Sequence, residues 1–76
     1  MNIQDAKFKK QDAGEYRIEG TFKGREVAIE ASRQDNGGFS WSAYIDGIYV
    51  DGDRGIKFGY LKQIVARCPE HFFTNL

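Results

Sequence analysis

Hydrophobic residues recur along this chain at two different periods, and the change of period divides it. From residue 15 to residue 22, EYRIEGTF, apolar and polar positions alternate. Tyr16, Ile18 and Phe22 fall on one side with Gly20 between them, and Glu15, Arg17, Glu19 and Thr21 fall on the other, the pattern of a half-buried strand. Lys23-Gly24 reads as a tight turn. Residues 25–33, REVAIEASR, alternate again, with Val27, Ile29 and Ala31 opposed to Glu26, Ala28, Glu30 and Ser32. Asp35-Asn36-Gly37-Gly38 predicts a hairpin connection, because Asn-Gly tolerates the positive φ that such turns require. Residues 39–46 predict a third strand, with Phe39, Trp41, Ala43 and Ile45 toward the core and Ser40, Ser42, Tyr44 and Asp46 away from it. Asp46-Gly47 is the next hairpin turn, Ile48-Tyr49-Val50 a short edge strand, and residues 51–55, DGDRG, a loop.

The period then lengthens. Leu61, Ile64, Val65 and Cys68 recur at three- and four-residue spacing and predict a helix over 60–68 with one apolar stripe. Pro69 ends it, since the residue before proline avoids the α region. Residues 56–58 fit either the first helical turn or one more strand, with Gly59 weakening the helix there. Ala6 and Phe8 suit a strand hairpinned onto 15–22 through Asp12-Ala13-Gly14, or a short helix within 1–13. In the tail, PEHFFTNL, Phe72 is expected to continue the helical stripe and close the core; the other use of such a tail is a dimer or partner contact. The whole reads as a single α+β domain over 1–76. It is an antiparallel three- to four-stranded β-meander with one C-terminal helix packed on one face, β-β-β-(β)-α in order, and the other face is open to water.

Composition narrows the functional classes. Seventy-six residues make a thin core, so the six Phe, four Tyr and one Trp must carry much of the stability. With 41% apolar residues and a formal net charge of zero, disorder is not expected. No apolar run reaches the ~20 residues that span a bilayer. The opening MNIQDAKFKK lacks the hydrophobic stretch of a secretory signal, and a lone cysteine, Cys68, permits no internal disulfide. Both lead us to expect a cytoplasmic protein. Overall neutrality argues against a dedicated nucleic-acid binder, which normally shows a basic excess, although a local patch remains open.

Catalytic and metal-binding patterns are weak. Asp46, Asp51 and Asp53 cluster, but a calcium loop counted from Asp51 meets Gly55 at position five and Lys62 at position twelve, where a bidentate Glu is needed. Turn formation accounts for these residues. Cys68 and His71 form a conceivable nucleophile–base pair, which makes a Cys/His hydrolase the remote alternative. The place of Cys68 on the helical stripe predicts instead a buried, inert thiol. The glycines at 52, 55 and 59 match no phosphate loop or dinucleotide fingerprint. We expect no enzyme activity, no cofactor and no metal.

Charge placement is more informative. Glu15, Glu19, Glu26 and Glu30 fall in phase on the open sheet face against Arg17 alone, with Tyr44 beyond them and Tyr49 on the edge strand. Lys57, Lys62 and Arg67 fall on the outward helix side. A neutral chain thus predicts a dipolar domain, and an acidic face carrying aromatic anchors suits a basic protein surface. The expected function is a small non-catalytic protein-binding module. By analogy of size and architecture, it would be an inhibitor or regulatory subunit of the phage- or mobile-element type. The second expectation is nucleic-acid binding through the basic helix side with Lys7, Lys9 and Lys10.

Overall fold

A computed structural model describes residues 1–74 and 76. Among the described residues, five strands form one antiparallel sheet in the order β1-β2-β3-β4-β5. They are β1 (Lys9–Asp12), β2 (Glu15–Phe22), β3 (Arg25–Arg33), β4 (Phe39–Ile45) and β5 (Ile48–Ile56), followed by helix α1 (Phe58–Arg67). Short 3-10 turns at Ile3–Asp5 and Pro69–His71 flank this core. The architecture is the expected α+β meander, with more strands than alternation predicts.

Local chemistry sets each connection. The β2–β3 and β4–β5 loops are two residues long, and both residues of each take positive φ: Lys23 at 52° with Gly24 at 78°, and Asp46 at 51° with Gly47 at 80°. This mirror-image turn matches the right-handed twist of the strands. The β3–β4 connection is longer. Gln34 N–H donates to the Gly38 carbonyl at 2.7 Å, and the Asn36 side chain accepts from Gly38 N–H at 3.0 Å, so asparagine braces the loop instead of forming a two-residue turn.

The two outer strands agree with expectation in part: β1 is the strand hairpinned onto β2 through Asp12-Ala13-Gly14, and β5 begins at the expected edge strand Ile48-Tyr49-Val50 but runs on to Ile56. Residues 9–12 are strand, and all four are exposed, so no alternation marks them. Residues 51–55 are not a loop but continue β5, whose pairing with β4 shifts between Ala43 and Tyr44 and again between Phe39 and Trp41. An irregular register breaks the period of two and hides the strand. At this edge, Asp51 and Asp53 accept from the backbone N–H groups of Gly52 and Arg54, each at 2.8 Å. Carboxylates thus occupy amides that another strand would otherwise pair with.

All large buried side chains lie on the helix side of the sheet. A ten-residue helix is about 15 Å long. Five strands span about 19 Å across and run longer than the helix, so α1 cannot cover them alone. The terminal segments supply the remainder. Ile3 is fully buried beside Ile18 and Phe22, and Pro69, Phe72 and Phe73 fill the other flank. Trp41, 7% exposed, meets the Phe72 ring edge-to-face at 4.8 Å, and Phe22 packs on Phe73 at 5.9 Å. A second aromatic group joins Phe8, Tyr16, Phe39 and Phe58, with Phe39 stacked on Phe58 at 4.8 Å.

The helix begins at Phe58 and ends at Arg67, one residue before the predicted stripe does. Cys68 takes φ −140° and ψ 61°, off the helical path, so the three- and four-residue spacing no longer places it on the core side. Pro69 takes the buried position, and Cys68 is exposed, contrary to the sequence expectation.

Gly20 sits on the core face of β2, where the N-terminal segment crosses it. Thr21 N–H donates to the Met1 carbonyl at 2.8 Å, and a Cβ at Gly20 would lie 2.8 Å from both Ile3 Cα and the Met1 carbonyl oxygen. These are backbone atoms that cannot swing aside. Gly20→Ala is therefore expected to lift Ile3 out of the core at a cost of about 1–3 kcal/mol, with Tm falling roughly 4–8 °C per kcal/mol. Thermal unfolding by circular dichroism measures it, and an unchanged Tm would contradict the packing described.

Candidate protein-binding face

The sheet surface opposite α1 has no covering layer among the described residues. Strand register places its side chains in rows. One row runs Lys9, Arg17, Glu30, Ser42. The next runs Glu19, Ala28, Tyr44, Tyr49. Glu15 with Ser32 and Ser40, and Thr21 with Glu26, lie above and below. The six residues singled out from sequence, Glu15, Glu19, Glu26, Glu30, Tyr44 and Tyr49, thus share this face, and all four glutamates are exposed.

The register corrects the expected electrostatics. No glutamate of the four stands directly opposite another: Glu15 faces Ser32, Glu19 faces Ala28, Glu26 faces Thr21 and Glu30 faces Arg17. The four carboxylates meet one another only diagonally, which limits their repulsion. Arg17 goes further and clasps two of them, Nε to Glu19 at 3.1 Å and Nη1 to Glu30 at 2.9 Å. Partial burial opposes the charge on Arg17, but hydrogen bonds to Glu19 and Glu30 outweigh it and the guanidinium pKa is raised. Lys9, on a strand that alternation does not mark, stands across from Arg17 and adds a second cation. Glu15 and Glu26 take part in no ion pair among the described residues.

Tyrosines close the other end of the face. Tyr44 and Tyr49 are directly paired across β4 and β5, with rings edge-to-face at 6.0 Å. Tyr49 is 58% exposed and its hydroxyl lies over Gly52. The Tyr44 phenol is held above its ordinary pKa, first by hydrogen bonding toward the Glu30 carboxylate, then by burial and by the charge of Glu30. Between Tyr44, Glu19 and Glu26 the small side chain of Ala28 floors a depression of about 460 Å³. Arg17, Glu30 and Tyr44 therefore form one polar strip, with free carboxylates on either side.

The other candidate groups are not brought into a site. Arg25 grips Asp46 through Nε at 2.8 Å and through Nη2, and this pairing holds the Asp46 carboxyl below its usual range. Asp51 and Asp53 bond to backbone, and among the described residues no three His, Cys, Asp or Glu converge as a metal site would require. The direct link between Cys68 and His71 is through backbone, His71 N–H to the Cys68 carbonyl at 3.0 Å, while the His71 ring packs against Phe72. No helix among the described residues is long and apolar enough to cross a membrane. Comparison of the chain with protein-family models, with curated proteins and with solved structures gave no match.

Two measurements follow from this geometry. In a pH titration followed by tyrosine NMR, the Tyr44 phenol should titrate above the ordinary value of about 10, and Glu30→Gln should return it toward that value. A raised phenol pKa favours the neutral form in the folded state. Its contribution to stability is present below the unfolded pKa and is lost as pH rises through the folded one. A Tyr44 titration indifferent to Glu30→Gln would contradict the strip. Separately, Cys68 should react with a mild disulfide reagent nearly as fast in the native protein as in urea. A native reaction far slower than the unfolded one would return it to the core.

Proposed function

We propose that this protein is a non-catalytic binding module that docks a basic protein surface on the open face of its sheet, and so works as an inhibitor or regulatory subunit. The observation that supports this reading best is the state of the four glutamates. Two are held in place by Arg17 and two, Glu15 and Glu26, take part in no ion pair among the described residues while standing exposed on the same face. Ordered and free carboxylates on a rigid sheet present a pre-set field to incoming lysines and arginines. The Tyr44–Tyr49 pair adds the aromatic area that interfaces draw on for affinity. A polyanion is repelled by this face, which separates the reading from nucleic-acid binding through Lys57, Lys62 and Arg67.

The test is charge reversal at the residues that do not touch Arg17. Glu15→Lys with Glu26→Lys leaves the Arg17 clasp intact, whereas reversing Glu19 and Glu30 would crowd cations around it. A partner captured from nuclease-treated lysate should bind this double variant roughly 3- to 30-fold more weakly at low ionic strength. The difference should shrink as salt rises. If the double variant binds its partner normally, and Lys62→Glu with Arg67→Glu abolishes binding instead, the helix side is the site.

A further inference from the structure

We infer that the groove between the N-terminal segment 4–8, β2 and α1, on the side of the molecule away from the acidic face, is a binding site for a small carboxylate with an apolar body. The groove encloses about 550 Å³, within the range of about 300–1,000 Å³ typical of small-molecule sites. Its floor is Ile18 and Val65, both buried. Its walls are aromatic: Phe8 meets Phe58 edge-to-face at 5.1 Å, and Tyr16 packs on Phe58 at 4.8 Å. These rings are committed to one another, so the cleft between them and the helix keeps its shape. Gln4 Nε2 donates to the Ala66 carbonyl at 3.3 Å and ties the N-terminal turn to the helix beside the groove.

The charges around the groove have one sign. Lys7 and Lys62 belong to its lining, and no acidic residue does. Neither lysine takes part in an ion pair among the described residues, and Lys62 Nζ lies 5.5 Å from the Phe58 ring centroid. A cationic ligand finds nothing to pair with here. An inorganic phosphate could pair with the two ammonium groups but leaves the aromatic walls unused. A neutral apolar molecule leaves both lysines unused. A monoanion with a hydrocarbon or aryl body uses the whole site, its body displacing water from the aromatic walls and its carboxylate meeting an ammonium in a charge-assisted hydrogen bond. The inference is independent of the proposed protein-binding face, since none of the residues it uses lies on that face.

Titration of the ¹⁵N-labelled protein with sodium octanoate, below its micelle concentration, tests it against 1-octanol as the neutral analogue. Saturable shifts are expected at the amides of Phe8, Tyr16, Phe58 and Ala66, with octanoate binding at least fivefold tighter than octanol. Lys7→Glu and Lys62→Glu should each weaken octanoate several-fold and leave octanol unchanged. Ala66→Trp, at an exposed lining position, should block both ligands without unfolding the protein, as the undisturbed spectrum of the unliganded variant would verify. Equal affinity for octanol and octanoate, shifts centred outside the groove, or unaltered octanoate binding by Ala66→Trp would each overturn the assignment.

Discussion

A five-stranded sheet covered by a single ten-residue helix has more apolar surface than the helix can hide. Everything else in this molecule is arranged around that shortfall. The N-terminal segment lays Ile3 over Gly20 at one side, and the C-terminal tail lays Phe72 and Phe73 over Phe22 and Trp41 at the other. Neither segment has regular structure long enough to be stable by itself. Each is held by the burial of large side chains, at about 25 cal/mol per Å² of apolar area removed from water. The core is therefore assembled from three parts of the chain, and no single element can be removed from it cheaply.

Because one face of the sheet carries all of this packing, the other is released from it. Its residues are chosen by solvent and by each other. Arg17 organises them, since without it Glu19 and Glu30 would be diagonal neighbours with no cation between. The lysines of the opposite side, Lys7 and Lys62 at the aromatic groove, face a different environment. A chain with no net charge thus carries four glutamates on its open sheet face and, at the groove on the other side, two lysines and no acid.

The legible parts of the sequence were those where burial alternates. β2, β3 and β4 each have one buried side, and β4 does so without exception from Phe39 to Ile45. The outer strands were legible only in part, through the turn at Asp12-Ala13-Gly14 and the short run Ile48-Tyr49-Val50, for the same physical reason. β1 buries nothing, and β5 changes register twice, so neither presents a period. Cys68 was misplaced because spacing assumes a helix that continues, while the approach of Pro69 had already bent the backbone away. The in-phase glutamates and the two tyrosines could be read directly. Their pairing could not, because which residue stands across from Arg17 depends on turn length: the two-residue Lys23-Gly24 loop sets Glu30 there, and the β1 hairpin sets Lys9. The groove left a fainter trace, Lys7 beside Phe8 and Lys62 four residues after Phe58, which gains meaning only once residues 4–8 are known to lie against the helix.

The position of Phe72 and Phe73 also has a consequence for how the protein is made. During synthesis the strands emerge in the order in which they pair, so each hairpin can form as soon as its second strand is free. Yet Ile18, Ile29, Trp41 and Ala43 share an apolar surface that stays bare until α1 and the tail arrive. Such hairpins are at best marginal in water. The growing chain is therefore a sheet with a sticky side until α1, Phe72 and Phe73 have left the ribosome and can cover it. Polar serines and charged glutamates on the reverse of every central strand keep that waiting sheet dispersed, a service they perform before any partner is met.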